Sequence, residues 1–355
     1  MNAFSIFSGC GGLDIGIEQS GFNNIVSIEL DKHAAASLEN WKNIKGLTSK
    51  CIINDNIKNI DPNIFSNKRI DLLHGGPPCQ AFSLIGKRCS LDDERGQLLF
   101  EVIRFAEILK PKAILLEQVK GLLSAPDSNG IKGGVFKLFL SELERINYTP
   151  KWSVLCAADY GVPQLRERVF IVATKGKNGF SFPSPTHSDE LEDLTLFPLK
   201  PYVTVGEVIG DLPKPRIKNE PEVFFNHVDV TPERDIERIS YVSEGSYLAC
   251  SKTAPKDIIK NLTKKDTTKY KRLQRNEPSL TLRGGEIFFH PIENRYLTPR
   301  EYMRIHTYPD EYQLMGPIRS RSGSVKDLDQ HRQIANSVPP LLAKVIADEI
   351  IKVIS

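Results

Sequence analysis

Nowhere in the 355 residues does an apolar stretch approach the roughly 18 that a membrane-crossing helix needs, so a spanning segment is excluded. Cysteine is sparse. Cys10, Cys51, Cys79, Cys89, Cys156 and Cys250 show no C-x-x-C spacing, and no histidine pair stands nearby at zinc-ligand separation. No metal site is expected from that pattern, and a reducing compartment fits it. The opening MNAFSIFSGCGG lacks the basic flank and long apolar core of a secretory leader, so a cytoplasmic location is expected. A strong excess of one charge is also missing. Lys and Arg number 47 against 44 Asp and Glu, a formal +3, which is compatible with a polyanionic partner without requiring one. Internal repeats and low-complexity tracts are absent as well.

What is present is an ordinary globular mixture, 40% hydrophobic and 26% charged. Single cores stop growing at roughly 250–300 residues, so two lobes are the default for this length. The first half repeats an apolar run, a turn and an amphipathic stretch: AFSIF, NNIVSIEL, RIDLLHGG and KAILLEQV, with RVFIVAT closing the series. Such alternation predicts βαβ units around a mostly parallel sheet, whose ligands sit beyond the carboxyl ends of the strands. After Lys175 the texture changes and no βα repeat returns until the end. The spacing of Leu341, Val345, Ile346 and Ile350 behind Pro340 predicts a core-facing terminal helix, and Thr298-Pro-Arg-Glu301 reads as a capping box.

Three features carry chemistry. The loop Phe7-Ser-Gly-Cys-Gly-Gly12 joins a strand to a helix, and its glycines allow close approach of a ligand to backbone. It fits the dinucleotide fingerprint poorly, because Gly11 and Gly12 are adjacent and Gly16 comes late. Glu29 ends the next strand, where a carboxylate can accept both ribose hydroxyls, so the pair reads as a site for a nucleoside ligand, nicotinamide-adenine or adenosylmethionine, or else as a tight βα turn followed by a surface acid. Next, Gly75-Gly-Pro-Pro-Cys79 places one thiol on a stiff turn at a strand end; about 3% of an ordinary thiol is thiolate at neutral pH, so a nucleophile there needs a positive or dipolar setting. The alternative is an inert core cysteine. Glu117 closes the following apolar run and is expected at the same sheet edge, where proton donation requires desolvation of the carboxyl. Last, Gln164, Arg166 and Arg168 share one face if a strand period of two runs through them. Two converging guanidiniums can hold a substrate oxygen, orient Glu117 or meet phosphate, or form a plain sheet-edge ion-pair ladder.

Taken in order, these segments resemble the DNA cytosine-5 methyltransferases: FSGCGG their cofactor loop, GGPPCQAFS their nucleophile motif, LLEQVKGLL their glutamate motif and YGVPQLRERVFIVA their arginine motif, with RYLTPREYMRIHTYPD and QIANSVPP as the last two. The resemblance implies a Rossmann-like α/β fold of the S-adenosylmethionine-dependent methyltransferases plus a smaller target-recognition domain. By it, residues 1–200 form the catalytic domain, completed by 325–355, and 201–324 form the target-recognition domain and hinge. It implies that Cys79 adds to C6 of a flipped-out cytosine while Glu117 serves N3, that Arg168 contacts O2 and steadies the glutamate, and that Arg166 helps position the thiolate loop. The cofactor S-adenosylmethionine is assigned to Phe7, Gly9, Cys10, Gly11, Gly12, Glu29, Asp55, Pro78, Leu98 and Asn336. One departure stands out: the family usually reads Glu-Asn-Val, and here Gln118 follows Glu117.

Double-stranded DNA is the implied partner, reached by flipping the base. The Lys- and Arg-rich stretch 252–275, interleaved with Thr and Asn, is the expected recognition face, with Lys252, Lys256, Lys264, Lys269, Arg272 and Arg275 as contacts. Ser83 and Arg88, in the loop after Cys79, are expected to close onto DNA. The same resemblance implies a bacterial, nucleoid-associated monomer, with a cognate restriction endonuclease as a genetic rather than physical companion. A tRNA cytosine-5 methyltransferase of similar fold is the alternative, although the Cys-Phe-Thr signature of that group is missing. A nicotinamide dehydrogenase would leave Cys79, Glu117 and the paired arginines without a task.

Overall fold

The apolar run that ends in the Gly-rich loop forms β1 (Asn2–Ile6), third from one edge of a seven-stranded sheet whose order is β3-β2-β1-β4-β5-β8-β6. The remaining members are β2 (Asn23–Glu29), β3 (Cys51–Asn54), β4 (Leu72–Gly75), β5 (Ala113–Gln118), β6 (Tyr148–Cys156) and β8 (Glu167–Lys175); β7 (Gln164–Leu165) lies outside this sheet. Strands β3 to β5 run parallel, whereas β8 is antiparallel to both β5 and β6. This computed structural model describes residues 1–78, 97–127, 129–176, 179–189, 199–217, 224–262, 269–319 and 327–355.

The chain divides into two compact units. The first comprises Met1–Cys156, Glu167–Ser184 and Pro340–Ser355, and the second Ala157–Arg166 and Pro185–Pro339. The expected cuts at 200/201 and 324/325 fall elsewhere, since 185–200, 325–339 and the short segment 157–166 all belong to the second unit.

In the first unit, α1 (Gly12–Gln19) and α2 (Lys32–Lys45) follow β1 and β2. The Asp31 side chain caps α2 by accepting from the His33 and Ala34 amides, which would otherwise lack partners. Between the next strands lie α3 (Gln97–Leu109) and α4 (Gly134–Arg145). Leu99, Val102, Ile103 and Ala106 recur at helical spacing and join Phe4, Ile6, Leu73, Ile114, Leu116 and Phe139 in one core. Each large apolar side chain so buried stabilises the fold by about 1.5–3 kcal/mol. Two strands escaped the sequence reading, β3 and β6. Both are sheet edges, short or carrying Pro150, and neither shows a continuous apolar run.

The terminal helix, here α10 (Pro340–Ile354), is present as expected, with Ile346 and Ile350 buried; Leu341 and Val345 are only half-buried, and Leu342, Ala343, Ala347 and Ile354 complete the buried face. It packs so closely on α1 that a Cβ on Gly16 would collide with the Pro340 carbonyl and Ala343. That contact, rather than a phosphate, accounts for the late glycine.

The second unit carries helices α5 (Val205–Ile209), α6 (Glu233–Ser240), α7 (Lys256–Ile259), α8 (Pro299–Ile305) and α9 (Gln330–Asn336) around Phe288, Phe289, Leu297, Tyr302, Tyr312 and Ile334. Thr298 and Glu301 form the expected capping box at α8. Glu301 also binds Arg295 through Oε1 at 2.7 Å and Oε2 at 2.8 Å, a buried bidentate pair.

Candidate active site

Strands β1, β2 and β3 are parallel neighbours, so their carboxyl ends bring the loop 7–12, Glu29 and Asp55 to one edge of the sheet. The loop turns through three positive φ angles, 53° at Phe7, 56° at Gly9 and 83° at Gly11. Phe7 in that region is strained and is held by its flanks: the Ser8 amide donates to the Ile28 carbonyl at 3.0 Å, and Gly9 donates to Glu29. Glu29 Oε2 accepts from the Gly9 amide at 2.7 Å and Oε1 from Asp31 at 2.8 Å. Burial pushes the Glu29 carboxyl above the usual carboxylate range, and these two amides oppose the shift. Each oxygen keeps a lone pair for a further donor.

Cys10, Gly11 and Gly12 are buried, whereas Asp55, beyond β3, is exposed and accepts from the Asn56 amide at 2.6 Å and Asn59 Nδ2 at 2.8 Å. Pro78 is exposed, and Leu98 is half-buried against the core. Asn336 ends α9 in the second unit, exposed between two buried neighbours.

A polar cluster that the sequence gave no sign of lies beneath the loop. Asp14 of α1, fully buried, accepts from Ser5 Oγ at 2.6 Å and Asn24 Nδ2 at 2.7 Å, and pairs with Lys50 at 3.3 Å. Lys50 in turn binds Glu18 at 2.7 Å. Burial alone would raise the Asp14 carboxyl, but Lys50, His74 and the hydroxyls outweigh it and hold the group charged. These bonds tie α1 to β1 and β2 from below and fix where the glycine loop starts. His74 on β4 completes the cluster: burial, helped by Lys50, lowers its pKa to about 4, against the opposing pull of Asp14. Neither of its ring nitrogens has a hydrogen-bond partner among the described residues. Residues so far apart in sequence, each polar and unremarkable locally, carry no periodic signal.

Strand β4 leads into Gly75-Gly-Pro-Pro78. A Cβ on Gly75 would collide with the Ile6 carbonyl, so the turn leaves the sheet where only glycine fits. Glu117 stands on the adjacent strand, in register one position beyond the pair Gly75 and Leu116, and a Cβ on Gly76 would lie 3.4 Å from Glu117 Oε2. The turn three residues before Cys79 therefore passes beside the Glu117 carboxylate. Cys79 itself lies outside the described residues, as do Ser83, Arg88 and Lys264. Leu115 and Leu116 are fully buried, and Glu117 is 8% exposed. Its Oε1 faces Arg168 Nε at 3.0 Å.

The strand period expected through Gln164, Arg166 and Arg168 is broken. β7 ends at Leu165, β8 begins at Glu167, and the Arg166 amide turns back to the Gln164 carbonyl at 2.9 Å. Arg168 sits in the first unit with Glu117. Arg166 is buried in the second, where Nη2 donates to the carbonyls of Ala335 at 3.0 Å and Ser337 at 2.9 Å, on either side of Asn336. Gln164 is buried too, its Nε2 2.9 Å from His306 Nδ1, while His306 Nε2 meets the Ser337 carbonyl at 3.1 Å. Together Arg166 and His306 hold the turn that carries Asn336.

Among the expected recognition residues, Lys252, Lys256 and Lys269 are exposed, the last with its ammonium 5.4 Å from the Tyr270 ring centroid. Arg275 is exposed and clamped by Glu244, with Nη2 to Oε2 at 2.9 Å. Arg272 requires a correction. Its guanidinium is buried and donates to Ile239 O at 2.8 Å, Asn294 Oδ1 at 2.7 Å and Glu293 O at 3.1 Å, so it braces the unit internally and offers nothing to DNA. In helices of the described residues, none is long and apolar enough to cross a membrane.

The family model for the C-5 cytosine-specific DNA methylases matches residues 1–352. The Type II methyltransferase M.NgoFVII of Neisseria gonorrhoeae is 34% identical over 360 residues, covering 99% of this chain and 86% of the relative. M1.HphI of Haemophilus parahaemolyticus is 30% identical over 357 residues, covering 98% and 86%. A solved DNA modification methyltransferase encoded within an Escherichia coli prophage superposes with a TM-score of 0.69 at 22% identity, covering 99% of each chain. A Spodoptera frugiperda DNMT2 variant gives 0.60 at 19%, again covering 99% of each. At those identities the structural likeness concerns the fold.

Proposed function

This chain belongs to the C-5 cytosine-specific DNA methylase family, and from that premise we propose that it methylates C5 of a cytosine in a short duplex site through a covalent bond between Cys79 and C6. The observation that carries the reading is the meeting of Glu117 with the turn that leads to Cys79, with Arg168 against the same carboxylate.

The loop and Glu29 suit an adenosyl cofactor: positive-φ backbone leaves room beside Gly9, and a half-buried carboxylate with spare lone pairs matches a ribose diol. Phe7, Gly9, Cys10, Gly11, Gly12, Glu29 and Asp55 would hold S-adenosylmethionine, and the family resemblance assigns Pro78, Leu98 and Asn336 to the same cofactor. When bound, that cofactor supplies a methyl group made electrophilic by its sulfonium.

Cys79 adds as thiolate to C6, and Glu117 serves N3 with a hydrogen bond or proton so that the ring accepts the electron pair and C5 becomes nucleophilic. Arg168 fixes the Glu117 carboxylate through Nε and can offer its other donors to O2 of the base. Removal of the C5 proton and departure of Cys79 then restore the aromatic ring. Arg166 acts at a distance, by holding the Ala335–Ser337 turn.

Residues 201–324 are assigned target recognition, with Lys252, Lys256, Lys269 and Arg275 as the described candidates for DNA contact. The relatives are named Type II methyltransferases, which favours a modification enzyme paired genetically with a restriction endonuclease; the reading takes it to act as a monomer on cytoplasmic DNA. Expression with a plasmid, followed by bisulfite sequencing, tests the reading: protected cytosines within one short motif support it. Unmodified plasmid alongside methylated tRNA would overturn it.

A further inference from the structure

Gln118 is the position at which this chain departs from the Glu-Asn-Val usual in its family, and the side chain is only 1% exposed. It closes β5, opposite Val169 of β8, and alternates with Glu117, so its amide points away from the carboxylate face. Its Nε2 donates to the Pro77 carbonyl at 2.6 Å. Pro77 has no amide of its own to offer and stands two residues before Cys79, in the same turn as Gly76, where an added Cβ would lie 3.4 Å from Glu117 Oε2. One short, buried hydrogen bond thus joins the strand of the glutamate to the turn of the nucleophile. Gln118 Oε1 has no hydrogen-bond partner among the described residues.

We propose that Gln118 is a positioning residue: by holding the Pro77 carbonyl to β5 it fixes the direction in which the chain leaves for Cys79, and so sets the alignment of thiol and Glu117 for attack on the base. The inference rests on the reading of Cys79 as nucleophile. Asparagine, one methylene shorter, reaches the same carbonyl only if the turn moves towards β5. Proline at 77 and 78 restricts the turn but leaves its tilt against the sheet free, and that remaining freedom is what the amide removes.

Gln118→Met keeps length and loses the donor; Gln118→Asn keeps the amide. Single-turnover methylation of unmodified plasmid DNA is measured for both and for the parent, together with covalent trapping on the same plasmid sequence copied with 5-fluorocytosine. Binding of S-adenosylmethionine and of DNA is measured separately. Gln118→Met is expected to slow methylation and trapping by about tenfold or more, with both dissociation constants within about twofold, and Gln118→Asn to recover part of the rate. A Gln118→Met rate within about twofold of the parent overturns the proposal, as does a loss of DNA or cofactor binding equal to the loss of rate. If the parent protein methylates but forms no adduct, the nucleophile reading itself has failed, and this inference falls with it.

Discussion

Arg168 Nε lies 3.0 Å from Glu117 Oε1, across the antiparallel pair of β5 and β8. Glu117 is opposite Phe170, and Arg168, two residues earlier, projects to the same face, so sheet register alone brings the two charges together. Glu117→Gln is expected to lower single-turnover methylation by about 10²–10⁴-fold while cofactor affinity is unchanged. Arg168→Lys is expected to cost activity as well, because an ammonium cannot both steady the carboxylate and present a planar set of donors. Rapid-quench assays with isothermal titration check both outcomes.

Glu29 joins the glycine loop to β2 through Gly9 and Asp31. Glu29→Ala is expected to weaken S-adenosylmethionine binding by about 10- to 100-fold, the range for lost hydrogen bonds to a charged group. DNA affinity, measured without cofactor, is expected to hold.

His74 gives the fold an acid limb. Folded, it titrates at about 4 because of burial and Lys50, whereas the unfolded chain titrates near 6.5. Above the unfolded value both states are neutral and stability is full. As pH falls from there towards 4, the unfolded chain takes up a proton that the folded one refuses, and up to about 3 kcal/mol is lost. Comparing urea denaturation of the parent with that of His74→Leu between pH 7.5 and 4.5 separates this contribution, with the part of the Asp14 shift that His74 causes, from that of Glu29. The gap between the two proteins should change steadily across the window; parallel curves would contradict the assignment.

Lys252 and Lys256 are exposed, whereas Arg272 is internal. Replacing either lysine by alanine is expected to weaken DNA binding and to reduce the slope of log affinity against log salt by about one. Arg272→Ala is expected instead to lower the melting temperature, since several carbonyls lose their buried donor together.

The parallel half of the sheet was legible because β1, β2, β4 and β5 are buried apolar runs, and Glu29 and Glu117 could be placed at strand ends by counting. Edge strands β3 and β6 were not, since one exposed face removes the apolar run. The break at Arg166 was hidden because its cause is tertiary: a guanidinium drawn to the carbonyls of Ala335 and Ser337, about 170 residues on. Arg272 misled for a related reason. A basic stretch records charge, whereas burial depends on chain brought in from elsewhere. Gln118 was visible as a departure, but only the Pro77 carbonyl at 2.6 Å gives it a task.

Trapping on 5-fluorocytosine DNA in the presence of S-adenosylmethionine, followed by peptide mass spectrometry, bears most directly on the nucleophile. One denaturant-resistant adduct on the peptide containing Cys79, absent from Cys79→Ala, is the outcome expected here. Methylation that proceeds in Cys79→Ala, or an adduct on any other residue, would contradict it.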